Sequence, residues 1–156
     1  MAPQSERTVM SYTGLYNHII FSTKGRKPLI RDSIKQRLFS YIAGIAVNLE
    51  CKILVVNGVA DHIHLLISIS PKISVAELVR KIKSNSSRWI HEMFLEHKAF
   101  RWQDGYSAFS VSYSGVNDVS KYIKSQQEHH KTVSFAEELK IFLAKHKINY
   151  DPKFLE

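Results

Sequence analysis

Apolar residues along the chain recur sometimes every second position and sometimes at helical spacing, and the switches between the two divide it into strands and helices. Residues 15–22 (LYNHIIFS) read as a strand, followed by the basic turn Lys24-Gly25-Arg26-Lys27-Pro28. Asp32 can cap a helix running to about Leu49, with Ile34, Leu38, Tyr41, Ile42 and Ile45 on its buried stripe. Residues 52–59 and 62–69 are two apolar strands with a tight connection, as in an antiparallel hairpin. Pro71 ends the sheet run, and Ser74 with Glu77 forms a capping box that opens a second helix. Val75, Leu78, Val79, Ile82, Trp89, Ile90 and Met93 lie on the apolar side of that helix.

The remaining pattern predicts a short hairpin from 100–102 and 107–112, turning at Asp104-Gly105. A third helix is expected over 117–130. A fourth starts at Ser134, with a second capping box to Glu137 and a stripe of Phe135, Leu139, Phe142 and Leu143. The first portion has the order β-α-β-β-α-β, so the expected fold class is α+β, ferredoxin-like (RRM-like), with C-terminal helices added. Both helices of that unit cover one face of an antiparallel sheet. The other face is expected to stay free, where such domains hold single-stranded nucleic acid.

Composition narrows the partner. A chain of 156 residues, 44% of them hydrophobic, is long enough for one full core and too apolar for disorder. Lys and Arg exceed Asp and Glu by 22 to 14, a net charge of +8 that favours a polyanion, nucleic acid before a membrane surface. The single cysteine, Cys51, excludes an internal disulfide and suits a reducing cytoplasm. No apolar run approaches the ~20 residues that span a bilayer. Residues 1–10 read as a loose polar tail, and 11–156 as one domain.

Two constellations carry candidate chemistry. On a strand, side chains two apart share a face, so His62 and His64 point one way and Ile63, Leu65 and Ile67 the other. Two such imidazoles can share a metal ion or grip an anion; alternatively they are polar rings on a solvated face. Asp61, preceding His62, is expected to face the opposite side. In the third helix, Val116, Val119 and Ile123 form the buried stripe, and Tyr122 and Gln126 stack beside it, flanked by Lys121 and Lys124. A phenol with a pKa near ~10 is a poor nucleophile at neutral pH unless cations or a metal favour the phenolate. Attack on a DNA phosphate would give a phosphotyrosine ester that conserves bond energy. The plain alternative for Tyr122 is an amphipathic surface aromatic.

The strand D-H-I-H-L-L-I followed by a helix with Y-I-x-x-Q resembles the single-tyrosine HUH transposases of small bacterial insertion sequences (TnpA type), a group that includes the REP-associated tyrosine transposases. The likeness extends in order through residues 21–26, 82–89, 102–110, 122–130 and 134–138. It implies that His62 and His64 hold a divalent ion, Mg2+ or Mn2+, with Gln126 as third protein ligand. It implies that Tyr122 cleaves single-stranded DNA at hairpin-bearing element ends, leaving a 5′-phosphotyrosine link and a free 3′-hydroxyl. It also implies a homodimer whose composite sites pair the histidines of one subunit with the tyrosine helix of the other. No carboxylate stands out as a further ligand.

Other residues are less decisive. Lys81, Asn85 and Arg88 share a face of the second helix, with Lys83 nearby; they are either phosphate contacts or a solvated face. Lys24 and Arg26 invite the same reading. Trp102, Tyr106 and Phe109 are either base-stacking platforms or core. His129 and His130 either contact DNA or cap the third helix, and His18 reads as a satisfied core residue. A non-catalytic, RRM-like module for single-stranded nucleic acid is the main alternative function, but it needs exposed aromatics on the central strands, which carry only aliphatics and histidines. A cupin-like metal enzyme needs a nearby glutamate ligand and an all-β chain.

Overall fold

The structure, a computed structural model, describes residues 11–155; the expected N-terminal tail lies outside the described residues. Strands β1 (Tyr16–Ser22), β2 (Lys52–Val59), β3 (His62–Ser68) and β4 (Ser107–Val111) form one sheet in the order β2-β3-β1-β4, with every neighbouring pair antiparallel. Helices α1 (Asp32–Asn48) and α2 (Val75–Met93) pack side by side on one face, as the ferredoxin-like order requires. That face supplies Ile19, Phe21, Ile63, Leu65 and Ile67 to the main core, where they meet Leu38, Ile42, Leu78 and Ile82 from the two helices. Ser74 caps α2 by accepting a hydrogen bond from the Glu77 amide at 3.1 Å, so the capping box holds in its first half. Among the described residues, no helix is long and apolar enough to cross a membrane.

The second face of the sheet is not free. Helices α3 (Val116–Lys124), α4 (Gln126–His129) and α5 (Phe135–Lys145) bring the C-terminal part of the chain across it. Ile20 and Phe109 of the sheet form a smaller core there with Leu139, Leu143 and Leu155. The amphipathic stripe of α5 needs an apolar partner, and the alternate residues of β1 and β4 provide it.

Three expectations of local structure change. Asp32 is the first residue of α1 and not its cap; Arg31 stands at the N-cap and no side chain caps the helix, so Asp32 contributes only its charge to the first turn. The predicted 100–102/107–112 hairpin does not form: Trp102 makes only an isolated bridge to Thr23, while β4 pairs with β1. Phe100 and Trp102 are drawn into the main core instead, where the Trp102 indole donates to Ser86 Oγ at 3.0 Å. The predicted helix over 117–130 breaks at Ser125 into α3 and α4. The break frees the carbonyls of Ile123 and Lys124, and the Asn57 side-chain amide on β2 donates to both, at 2.9 and 3.2 Å. Gln127 completes this latch, donating to Asn57 Oδ1 at 2.8 Å and to Gly58 O at 3.0 Å. A side chain at Gly58 would have to share space with the Ile63 backbone, 2.9 Å from where its Cβ would stand, so the β2–β3 hairpin needs glycine beside the histidine strand.

Candidate active site and metal centre

His62 and His64 both project from β3 onto the C-terminal face, as strand alternation requires, and both are fully buried. Their Nε2 atoms converge on one carboxylate oxygen, Glu138 Oε1 of α5, at 3.3 Å from His62 and 2.9 Å from His64. His130, just past α4, adds a third imidazole: its Nε2 lies 3.0 Å from the same oxygen and 3.1 Å from His62 Nε2. The other oxygen of Glu138 accepts hydrogen bonds from the Tyr122 hydroxyl and from Gln126 Nε2, the latter at 3.1 Å. His129 Nε2 is 3.4 Å from that oxygen.

Each strand histidine is anchored from behind. His62 Nδ1 is bonded to Asp61 Oδ1 at 2.7 Å, and His64 Nδ1 to His18 Nε2 at 2.8 Å. Asp61 therefore does not face away as expected. It belongs to the turn between β2 and β3, where strand alternation no longer governs side-chain direction. His18 is buried as expected, but its partner is His64 of the histidine cluster.

Burial acts against every charge here; it prevails at His64 and His18, and hydrogen bonds overcome it at His62 and Glu138. It pushes His64 down to about 4, against the opposing pull of Glu138, and His18 down to about 3, with the neighbouring His64 acting in the same sense. For His62, burial is outweighed by the hydrogen bonds to Asp61 and Glu138, and its pKa is raised. Burial alone would also raise Glu138, but the bonds to His62 and His64 hold it well below the usual carboxylate range. The Tyr122 phenol is pushed up, first by burial and then by its bond to the Glu138 carboxylate.

The donor set fits a divalent cation. His62, His64, His130 and Glu138 each offer one ligand atom, all within 4.8 Å of one another. Imidazole lone pairs cannot face one another at this distance without a proton or a cation between them. Gln126 is buried, and its Oε1 has no hydrogen-bond partner among the described residues, as expected of an oxygen reserved for a ligand.

Of the residues expected from sequence, Tyr122, His62, His64 and Gln126 meet at one centre. Glu138 is not among those expected residues, and the place of His130 in the cluster is not anticipated either. The signal for Glu138 was present: it lies three residues after Phe135 and four before Phe142, so an acid interrupts the buried stripe of α5. The break at Ser125 turns His129 and His130 back over the sheet, so neither simply caps a helix. Among the expected DNA contacts, Arg26 approaches the centre, its guanidinium 5.7 Å from the centroid of Phe135, whose ring packs on His62. Lys24 lies in the same turn. Lys81, Asn85 and Arg88 ride on α2, across the sheet from the histidines; Lys81 pairs with Glu77 at 3.8 Å and Arg88 with Asn85 at 3.0 Å. Lys83 is committed to the carbonyls of Gln103, at 2.7 Å, and Gly105. Trp102 and Phe109 are buried, and Tyr106 is exposed.

A sequence model described as "Transposase IS200 like" matches residues 11–126. The chain belongs to the IS200-like transposase family. Over 119 residues it is 30% identical to the transposase of insertion sequence element IS200 from Salmonella typhimurium, covering 73% of this chain and 78% of that protein. It is 24% identical over 119 residues to the ISDra2 transposase TnpA of Deinococcus radiodurans, covering 71% of this chain and 83% of that one. Two solved structures share the fold. A Deinococcus radiodurans protein assigned to the transposases aligns with a TM-score of 0.61 at 21% identity, over 78% of this chain and 97% of its own. A REP-associated tyrosine transposase bound to a REP hairpin aligns with a TM-score of 0.59 at 15% identity, over 80% and 76%. This IS200-like transposase is thus a DNA-cleaving and strand-transferring protein, and the non-catalytic alternative loses its basis because the sheet face it required is covered.

Proposed function

We propose that Tyr122 is the nucleophile of this transposase and that His62, His64 and Gln126 hold a divalent ion, Mg2+ or Mn2+, with Glu138 and His130 completing the donor set. One observation carries the reading: a single carboxylate, Glu138, touches both imidazole ligands with one oxygen and the tyrosine hydroxyl with the other. A divalent ion held by His62, His64 and Gln126 would supply Lewis-acid charge to the scissile phosphate. Tyr122 Oη attacks phosphorus in single-stranded DNA; the Oη–P bond forms, the P–O3′ bond breaks, and the departing 3′-oxygen takes up a proton. Glu138 Oε2, which accepts the phenolic hydrogen bond, is placed to receive the phenolic proton. The product is a 5′-phosphotyrosine link, and attack by another 3′-hydroxyl reverses the step to join strands. Imidazoles are softer ligands than Mg2+ prefers, so Mn2+ is the expected better activator.

The substrate reading is single-stranded, hairpin-bearing element ends, bound by a homodimer in which residues 11–156 act as one catalytic domain. Tyr122 lies against its own chain's His64, with ring centroids 5.9 Å apart, which supports cleavage in cis as one arrangement of the dimer. A composite arrangement would require the α3–α4 unit to leave its Asn57 latch for the partner. Mixing Tyr122→Phe with His64→Ala protein tests this, since only exchange between subunits restores cleavage. Lys24 and Arg26 at the centre's edge, and Lys81, Asn85 and Arg88 on α2, are the candidate backbone contacts; Lys83, expected with them, is instead engaged by the carbonyls of Gln103 and Gly105. The buried thiol of Cys51 suits work in a reducing cytoplasm.

The decisive test is incubation with element ends as single strands and Mn2+, followed by a denaturing gel. A covalent protein–DNA adduct is expected, absent with chelator and absent in Tyr122→Phe, which still binds DNA. An adduct that persists in Tyr122→Phe rejects this nucleophile.

A further inference from the structure

One aromatic layer away from the histidine cluster lies a cavity of about 530 Å³ that none of the chemistry above uses. It opens between the end of β1, the 103–107 loop and the C-terminal turn, and Phe135 forms part of its wall. The same Phe135 ring packs on His62, with centroids 4.5 Å apart, so one ring separates the cavity from the histidine cluster, while Tyr122 and Glu138 line a different cavity.

The wall is built and fixed. Gln103 donates its backbone N–H to Ser22 O at 2.9 Å and accepts the Gly25 N–H on Oε1, also at 2.9 Å. The half-buried Lys83 ammonium holds the carbonyls of Gln103 and Gly105 from behind. Gly105 takes φ +89°, a value that only glycine adopts readily, and this bend leaves Tyr106 at the mouth. Tyr106 is 43% exposed and Phe154 76% exposed, and both line the cavity. Arg26 and Lys153 line it as cations, and Asp104 as an anion.

We propose that this cavity is a base pocket, taking one unpaired nucleobase of the single-stranded DNA on the His62 side of the cluster. Exposed aromatic rings offer stacking faces to any base, and the two cations suit the flanking phosphates. A phosphate alone would meet the Asp104 carboxylate, whereas a base edge can donate a hydrogen bond to it. The proposal rests on the reading of Tyr122 as acting on single-stranded DNA, and it adds where one of its bases is held.

The test uses the full chain, 15N-labelled and kept in chelator, titrated with a mixed-sequence hexadeoxynucleotide and with its fully abasic counterpart. Saturable amide shifts at Gly25, Gly105 and Ser107 are expected with the first probe, with at least about fivefold weaker binding of the second. Tyr106→Ala should weaken the base-bearing probe by a similar factor, with Phe154→Ala as a second variant at a still more exposed position. Equal binding of the abasic probe, shifts confined to other surfaces, or full affinity in both variants would overturn the pocket. Because no cleavage is needed, absence of the Tyr122 adduct would count against the catalytic reading alone.

Discussion

His18 Nε2 lies 2.8 Å from His64 Nδ1, so one buried histidine fixes the ring of another from the strand beside it. Burial keeps His18 neutral, pushed down to about 3, and its Nε2 can then accept the proton on His64 Nδ1. That tautomer would leave the His64 Nε2 lone pair for a cation; without one, His64 Nε2 carries the proton it donates to Glu138 Oε1 and His64 Nδ1 accepts from His18. His18→Ala is expected to weaken Mn2+ binding about tenfold or more, read by electron paramagnetic resonance titration. His18→Gln, whose side-chain oxygen can accept the same bond, should recover part of the loss. A folded His18→Ala protein with unchanged Mn2+ affinity would show that the contact does not orient the ligand.

Glu138 joins ligands and nucleophile, so its charge should matter to both. Glu138→Gln is expected to lower the rate of adduct formation by about 100-fold or more and to weaken Mn2+ binding in the same titration. Glu137→Gln, at the exposed neighbouring position whose backbone amide bonds the Ser134 cap, should change neither. Equal effects of the two substitutions would reduce Glu138 to a contributor of general negative charge.

The Asn57 latch should govern how firmly the tyrosine helix is held. Asn57→Ala removes the donors to Ile123 O and Lys124 O and the partner of Gln127. A stability loss of about 1–3 kcal/mol is expected, with amide exchange accelerated in α3 and α4 before the sheet. Exchange rates unchanged in α3 would mean that packing of Ile123, not the amide network, secures the helix.

The metal-free protein should lose stability in acid over a defined window. His18 and His64 have lowered folded pKa values, so the unfolded chain binds more protons and stability rises with pH. Their contribution is complete above about pH 6.5; it falls as pH drops, until His64 titrates at about 4 and His18 at about 3. His62, with its raised pKa, is protonated in both states near pH 5 and adds no slope there. Urea midpoints in chelator should therefore give a slope approaching two protons near pH 5, about 2.7 kcal/mol per pH unit. A flat profile between pH 6.5 and 5 would show that the two buried rings take up protons as readily as free histidine.

The alternating pattern of β3 determined by itself that His62 and His64 share a face; Tyr122 and Gln126, on α3 and α4 either side of the break at Ser125, meet only through Glu138. Local periodicity and capping residues also specified the strand and helix order, because these depend on neighbours a few positions away. Only the tertiary structure decided which groups meet. Glu138, 74 residues beyond His64, reaches the centre because α5 must bury its stripe on the second sheet face. His130 reaches it because the helix breaks at Ser125 and Asn57, distant in sequence, satisfies the freed carbonyls. Trp102 left its expected hairpin because burial in the main core, with Ser86 as partner for its N–H, outweighed a short strand pairing. Residue spacing specifies a face, but which faces close on each other is set by burial and hydrogen-bond satisfaction over the whole chain.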